Sequence, residues 1–163
     1  MSRSAVFDFP NPVNEVSARL VAGGVVLMAV GVLLGQHWLL IPLTYGFVAR
    51  VATGPTLSPL GQLVTRFITP RLDVRAKPVP GPPKRFAQAI GAAFTVSASI
   101  LYFGFGNTVA ALVLIGLLLV AATLESVFAY CLGCKAFALL MRTGVIPEEV
   151  CEECNDIWGR AAA

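Results

Sequence analysis

The feature that most constrains this chain is a set of long apolar runs that contain no charged side chain. Residues 20–38, 86–103 and 108–124 each approach the length of about 20 residues that a helix needs to cross a membrane. Charged residues make up 13% of the chain, against about 25% in an ordinary soluble domain. The sequence therefore predicts an integral membrane protein and excludes an ordinary soluble enzyme and a nucleic-acid binder.

The apolar runs and the turns between them predict an all-α fold, a four-helix transmembrane bundle. Residues 1–19 form a leader, 20–130 the membrane domain, and 131–163 a small helical cap that carries the cysteines. The second span is short and contains Pro42 and Arg50. We expect the arginine side chain to reach the membrane interface, and a re-entrant segment is the alternative to a full crossing. The predicted spans are about 20–36, 38–53, 86–103 and 108–130.

Basic residues are confined to one side of this predicted bundle. The turns at 35–38 and 104–107 contain no Lys or Arg, whereas all 12 basic residues lie in the leader, the 50–85 connection or the segment after the fourth span. Cytoplasmic loops of membrane proteins are enriched in Lys and Arg. We therefore expect a multi-pass protein of the plasma (inner) membrane with both termini in the cytoplasm.

The long connection contains an amphipathic segment followed by a basic strap. Ser58 favours a helix N-cap, Pro59 suits the first helical position, and Pro70 is expected to end the helix. Apolar residues recur on one face of the predicted helix at 58–69, which is typical of a helix that lies in the membrane surface or docks against the bundle. The Pro-rich strap at 70–85 carries five basic residues that suit anionic lipid headgroups, and a solvated linker that follows the charge rule is the alternative.

All four cysteines lie near the C-terminus, in two C-x2-C pairs separated by sixteen residues. This spacing is typical of a four-thiolate zinc site, with iron as the alternative metal. Cytoplasmic thiols are kept reduced, which argues against structural disulfides. We therefore expect a metal that orders the C-terminal cap for a protein partner, bound by Cys131, Cys134, Cys151 and Cys154.

Two other functions fit the same residues. Cys131 and Cys134 precede Lys135 and lie near the start of a predicted helix, and both features lower the pKa of a thiol. This pair is therefore also a candidate for a membrane dithiol that carries electrons or sulfur. The third possibility is a structural subunit of a larger membrane complex or oligomer, without chemistry of its own.

Glu125 is a further candidate, because it is the only acidic residue inside an apolar run. Carboxylates within membrane segments are costly and are functional candidates by default. Glu125 lies close to the cytoplasmic end of its span, however, so a simple interfacial ion pair is the alternative. Its expected partners are Arg85, Lys135 or Arg142.

Four segments that together run through most of the chain carry a family resemblance. They are FPNPVNE (9–15), SPLGQLVTRFITPRL (58–72), PKRFAQAIGAAF (83–94) and ESVFAYCLGCKAFALLMR (125–142). With these segments the chain resembles a family of bacterial integral-membrane proteins known as domain of unknown function 4395.

The resemblance implies a four-span bundle with a cytoplasmic CLGC motif. Members are often encoded beside thioredoxin-like and sulfurtransferase proteins, which implies such a protein as the partner of the dithiol. No activity is established for the family, so the resemblance implies no catalytic role. Cys151 and Cys154 lie beyond the matching segments.

Overall fold

The chain is mostly helical in its computed structural model, which describes residues 9–72 and 77–150. A 3-10 turn at His37–Leu39 leads into the second helix, and another lies at Glu148–Val150. Two π-helical segments, Val64–Ile68 and Ile100–Gly104, continue the third and fifth helices. The α-helices are α1 (Glu15–Leu33), α2 (Leu40–Thr53), α3 (Pro59–Leu63), α4 (Thr69–Arg71), α5 (Gly81–Ser99), α6 (Thr108–Phe128) and α7 (Leu132–Arg142).

Three of these helices are long and apolar enough to cross a membrane. They are α1, α6, and α5 with its π-helical extension to Gly104. Helix α1 begins earlier than the predicted span, because Asn14 caps it by accepting a hydrogen bond from the backbone N–H of Val16 at 3.0 Å. Length and composition of the three helices are compatible with the membrane protein that the sequence predicts.

The bundle is formed by two pairs of helices. Helix α1 packs mainly against α6, and α2 packs mainly against α5. The core between them contains fully buried side chains such as Leu43 of α2 and Ile115 of α6. Other large apolar side chains, including Leu27 and Val109, are 75% exposed on the outside of the bundle. Apolar residues therefore cover the outer surface as well as the core, as expected of helices that face lipid.

The connection between α2 and α5 differs from its prediction in two places. The predicted Ser58 cap is confirmed, since its Oγ accepts from the backbone N–H of Gly61 at 3.2 Å. The helical conformation continues past Pro70 to Arg71, so the predicted stop is wrong. The preceding turn is π-helical, and this wider turn relieves the clash that a proline ring makes in an α-helix.

The second difference concerns the Pro-rich strap. Strand β1 (Val13–Asn14) pairs antiparallel with strand β2 (Pro78–Val79), so part of the strap forms a short ribbon with the leader. Helix α5 then begins at Gly81, inside the range predicted for the strap. Residues 73–76 of the strap lie outside the described residues.

Candidate functional site

The junction between α6 and α7 places Cys131 at the start of a helix. Helix α6 ends at Phe128, and Ala129 has a φ of 56°, in the left-handed region that turns the chain after a helix. Cys131 is the N-cap of α7, and its Sγ accepts a hydrogen bond from the backbone N–H of Cys134 at 3.4 Å. Cys131 therefore takes the position that Ser, Thr, Asp or Asn usually occupies.

The two thiols of this pair have opposite pKa shifts. The hydrogen bond from the Cys134 thiol lowers the pKa of Cys131, although burial acts in the opposite direction. The same hydrogen bond raises the pKa of Cys134, and burial raises it further. Cys131 therefore ionises before Cys134. The predicted lowering of both values is wrong for Cys134, because this thiol loses its hydrogen bond when it ionises.

Close contact with α5 fixes the first turn of α7. A Cβ atom at Gly133 would lie 2.5 Å from Cβ and 2.6 Å from Cα of Ala87. Glycine is therefore the residue that allows α7 to lie directly on the backbone of α5. One turn further along α7, the Phe137 ring contacts the Phe86 ring with their centroids 5.5 Å apart. The dithiol is thus held against the start of α5.

An ion pair lies beside the cysteines. Nζ of Lys84, in the first turn of α5, is 2.6 Å from Oε1 of Glu125, in the last turn of α6, and their side chains are 10% and 15% exposed. The predicted partners of Glu125 were Arg85, Lys135 or Arg142, and the Lys84 contact was missed. Successive helical residues point about 100° apart, so Lys84 faces the bundle whereas Arg85 is exposed.

A second buried cation, Arg50, approaches the same region from α2. Its Nε donates to Oε1 of Gln88 at 2.9 Å, and its Nη1 donates to Oγ of Ser58 at 3.2 Å. Its Nη2 is buried and has no hydrogen-bond partner among the described residues. The side chain is 5% exposed, so the predicted extension of Arg50 to the interface is wrong. Its polar partners inside the bundle explain this, since Gln88 and Ser58 accept hydrogen bonds from two of its three guanidinium nitrogen atoms.

The charges of this cluster are unequal. Arg50 and Lys84 are cations, whereas Glu125 supplies one carboxylate. Lys84 stabilises a thiolate at Cys131 electrostatically, and Glu125 opposes it. An uncompensated charge inside a protein is costly. A thiolate at Cys131 would bring these four side chains to neutrality.

A cavity of about 400 Å³ opens beside the cluster. Its polar side chains are Arg50, Gln88, Glu125 and Cys131, and most of the remaining wall is apolar and comes from α1, α5 and α6. This volume lies within the range of about 300–1,000 Å³ that is usual for small-molecule sites. Cys131 and the buried cation Arg50 thus border the same space.

Comparison with known proteins identifies the family. A family model described as "Domain of unknown function (DUF4395)" matches residues 13–142. The chain belongs to the DUF4395 family. In this DUF4395 protein the match includes Cys131 and Cys134 and ends before Cys151. No curated protein and no solved structure matches the chain.

The second cysteine pair of this DUF4395 protein, Cys151 and Cys154, lies outside the described residues. Within residues 9–72 and 77–150, no group of three or more His, Cys, Asp or Glu side chains is placed to hold a metal ion. Two of the four predicted ligands are therefore brought together, and the four-thiolate site stays a prediction.

Sequence reasoning also missed Arg19, which supports the cysteine-bearing junction of this DUF4395 protein. Its Nη2 donates to the backbone oxygens of Ser126 at 3.0 Å and Val127 at 3.1 Å. These carbonyls belong to the last turn of α6, where backbone oxygens lack partners within the helix. One sequence signal could have predicted this contact: Arg19 is a basic residue at the same end of the bundle as the C-terminus of α6, where basic side chains are favoured.

Proposed function

We propose that this DUF4395 protein is a membrane dithiol in which Cys131 and Cys134 alternate between the reduced and the disulfide state with a soluble partner. The observation that carries this proposal is the asymmetry of the pair. The Sγ of Cys131 accepts a hydrogen bond from the backbone N–H of Cys134, and the pKa of Cys131 is lowered whereas that of Cys134 is raised. The pair therefore combines one thiolate nucleophile and one protonated, resolving thiol within a single turn, as thiol–disulfide exchange requires.

The exchange proceeds in two steps. The Cys131 thiolate attacks a sulfur of the partner's disulfide; the partner's S–S bond breaks, a mixed disulfide forms, and the other partner sulfur leaves as a thiolate. Cys134 then loses its proton and attacks Cys131 Sγ, which forms the Cys131–Cys134 disulfide and releases the reduced partner. The reverse sequence reduces a partner instead.

The first step prepares the second. The negative charge and the hydrogen-bond acceptor of Cys131 are two of the causes that raise the pKa of Cys134. Both disappear once Cys131 is bonded to the partner. Lys84 acts in the opposite direction and lowers the pKa of Cys134. Cys134 therefore becomes easier to deprotonate at the stage when it must attack.

The position of the pair suits a soluble partner. Tyr130 and Leu132, the residues on either side of Cys131, are 46% and 44% exposed. The dithiol therefore lies just below the surface at one end of the bundle. A thioredoxin-like protein or a sulfurtransferase is the partner that the family resemblance suggests. With a sulfurtransferase that carries a persulfide, the Cys131 thiolate would attack the outer sulfur; the partner's S–S bond breaks, Cys131 becomes a persulfide and the partner's cysteine leaves as a thiolate.

We infer further that four helices cross the membrane, with both termini and the dithiol on the cytoplasmic side. Helix α2 has 14 residues, or about 21 Å at 1.5 Å per residue, and the 3-10 turn before it adds about 6 Å. Together they approach the hydrocarbon thickness of about 30 Å. The absence of Lys and Arg from the turns at 35–38 and 104–107 supports this orientation.

A trapping experiment tests the dithiol. In Cys134→Ser the resolving thiol is lost while a hydroxyl donor remains beside Cys131, so we expect a mixed disulfide or a persulfide to accumulate on Cys131 in cells under oxidant or sulfur stress. Mass spectrometry of the purified protein identifies the adduct. Cys131→Ser is the matched control and should trap nothing. Absence of any adduct on Cys134→Ser, or an equal adduct on the control, would contradict the proposal.

A cytoplasmic four-thiolate zinc or iron site is the second candidate, favoured by the spacing of the two cysteine pairs. Elemental analysis of the purified, untagged protein separates the candidates. The metal site requires about one zinc or iron ion per chain. The dithiol proposal predicts no stoichiometric metal and free alkylation of the reduced thiols. Stoichiometric metal that protects Cys131 and Cys134 from alkylation would decide for the metal site.

A further inference from the structure

Arg50, whose Nη2 has no hydrogen-bond partner among the described residues, is one of the residues that line the cavity beside Cys131. Arg50 is 5% exposed, and its Nε and Nη1 donate to Gln88 and Ser58. A buried N–H group without an acceptor is costly. Cys131 borders the same cavity. The cavity therefore offers a hydrogen-bond donor and a sulfur nucleophile to one bound molecule.

The apolar wall indicates how such a molecule enters. Leu117 and Val120 of α6 line the cavity, yet they are 55% and 58% exposed on the outside of the bundle. Both lie in the middle of a helix that is long and apolar enough to cross a membrane. The cavity thus borders the lipid-facing surface, and a ligand with an apolar body can enter from the bilayer.

We propose that this cavity binds a membrane quinone, which accepts electrons from the dithiol; the inference rests on the dithiol function proposed above. A quinone carbonyl oxygen would accept the free hydrogen bond of Arg50, with the ring beside Cys131 and the tail along α6. Charge favours a neutral head group over a carboxylate or a phosphate. When Cys131 is in its reactive thiolate form, it sums to zero with Arg50, Lys84 and Glu125, so an anionic head group would leave a negative charge unbalanced.

The reaction balances without a further reactant. Cys131 and Cys134 together give up two electrons and two protons as their sulfur atoms form one S–S bond. The quinone takes up both electrons, and its two carbonyl oxygens each gain a proton, which yields the quinol. The proton that Cys131 has already lost returns from the surrounding water. The quinol then leaves toward the bilayer, and a soluble partner reduces the disulfide again.

The test uses the reduced, full-length protein in lipid nanodiscs, mixed with decylubiquinone in the absence of oxygen. We expect quinol and the Cys131–Cys134 disulfide to form in equal amounts, at a rate that saturates with quinone concentration. Ala121→Phe fills the cavity from α6 and should lower this rate about tenfold, or about 1.4 kcal/mol. Val113→Phe is the matched control. It lies on the outside of α6, where Val113 is 57% exposed, and should leave the rate unchanged.

Arg50→Lys examines the hydrogen bond, because it keeps the positive charge and removes the Nη2 donor. We expect oxidation by decylubiquinone to slow more than oxidation by diamide, a water-soluble thiol oxidant, so that the ratio of the two rates falls. Equal rates with decylubiquinone in Arg50→Lys and the wild-type protein would overturn the role of Arg50. The diamide rate also shows that each variant is folded around a competent dithiol.

Diamide also distinguishes the two ways in which the inference can fail. If diamide forms the Cys131–Cys134 disulfide but decylubiquinone does not, the quinone site is wrong and the dithiol function stands. The same conclusion follows if decylubiquinone oxidises Ala121→Phe as fast as the wild-type protein. If neither oxidant forms this disulfide, both proposals are wrong. If oleate binds in the cavity and the quinone assay yields no quinol, the cavity is a fatty-acid site and the quinone site is overturned.

Discussion

A single methyl group added at Gly133 tests whether contact with α5 holds the dithiol in its reactive arrangement. The new Cβ of Gly133→Ala would lie 2.6 Å from Cα of Ala87. Ordinary contacts between carbon atoms are about 3.5–4.0 Å, so the first turn of α7 must move away by about 1 Å. The obstacle is the backbone of α5, which cannot rotate aside as a long side chain can.

Two opposing contributions set the size of the effect. Replacing glycine by alanine inside a helix gains about 1 kcal/mol of helix propensity. Overpacking costs about 1–3 kcal/mol, and a clash with backbone belongs near the upper end of that range. We therefore expect a net loss of about 2 kcal/mol in the free energy of unfolding, which lowers Tm by roughly 4–8 °C for a chain of this size.

The same displacement should also change the chemistry of Cys131. The hydrogen bond from the Cys134 backbone to Cys131 Sγ is already 3.4 Å long, so a shift of about 1 Å in the first turn of α7 would weaken it. The thiolate of Cys131 would lose part of its stabilisation, and its pKa would rise. Alkylation of Cys131 at a fixed pH should therefore be slower in Gly133→Ala than in the wild-type protein.

Thermal unfolding followed by circular dichroism, together with alkylation and mass spectrometry, measures both effects on the full chain in detergent. Gly116→Ala is the matched control, because a Cβ at this helical glycine meets no atom within 4 Å. It should leave Tm equal or higher and alkylation unchanged. A Gly133→Ala protein with the Tm and the alkylation rate of the wild type would refute the idea that this contact positions the dithiol.

Two remaining predictions concern charge. Lys84→Met leaves Glu125 buried without its partner and should lower the free energy of unfolding, measured with a chemical denaturant, by about 3–5 kcal/mol. Lys77→Met, at a pair whose lysine is 72% exposed, is the control and should lower it by less than about 1 kcal/mol. Equal losses would show that burial of the Lys84 pair is unimportant. Alkylation of Cys131 should rise with pH through a midpoint below the usual thiol pKa, because its folded-state pKa is lowered. Cys134→Ala removes the thiol donor and should move this midpoint to higher pH. Cys134→Ser keeps a hydroxyl donor and should move the midpoint less. An unchanged midpoint in Cys134→Ala would show that the Cys134 side chain does not lower the pKa of Cys131.

Local signals in the sequence predicted several features of the fold and of the site. The apolar runs located the helices, because burial in lipid or in a core demands uncharged residues over a fixed length. Ser58 before Pro59 located a helix start that the structure confirms. The position of Cys131 near the start of a helix was also predictable, because the apolar run of α6 ends shortly before it and Gly144 marks the end of the helix that follows.

Features that depend on the rotation of one helix against another could not be predicted in the same way. Lys84 and Arg85 are adjacent in sequence, and either suits a carboxylate near the end of α6. The rotation of α5 about its axis decides between them, and this is set by contacts such as that between Ala87 and Gly133. A sequence pattern determines which faces of a helix are apolar, but it does not determine which neighbour each face meets.

The charges of the apolar segments nevertheless contained a signal that the sequence reasoning did not use. Arg50 and Glu125 each lie in an apolar helix, and Lys84 lies at the start of another. Arg50 was interpreted as a group that reaches the interface and Lys84 as part of the strap, while Glu125 was paired only with Arg85, Lys135 or Arg142. An isolated charge in such a segment is expensive, whereas paired charges are tolerated. Charges on separate helices at the same end of a bundle should therefore be expected to converge, and an unequal number of cations and carboxylates then indicates an anion still to be found. Here the nearby group that can supply this anion is the thiol of Cys131.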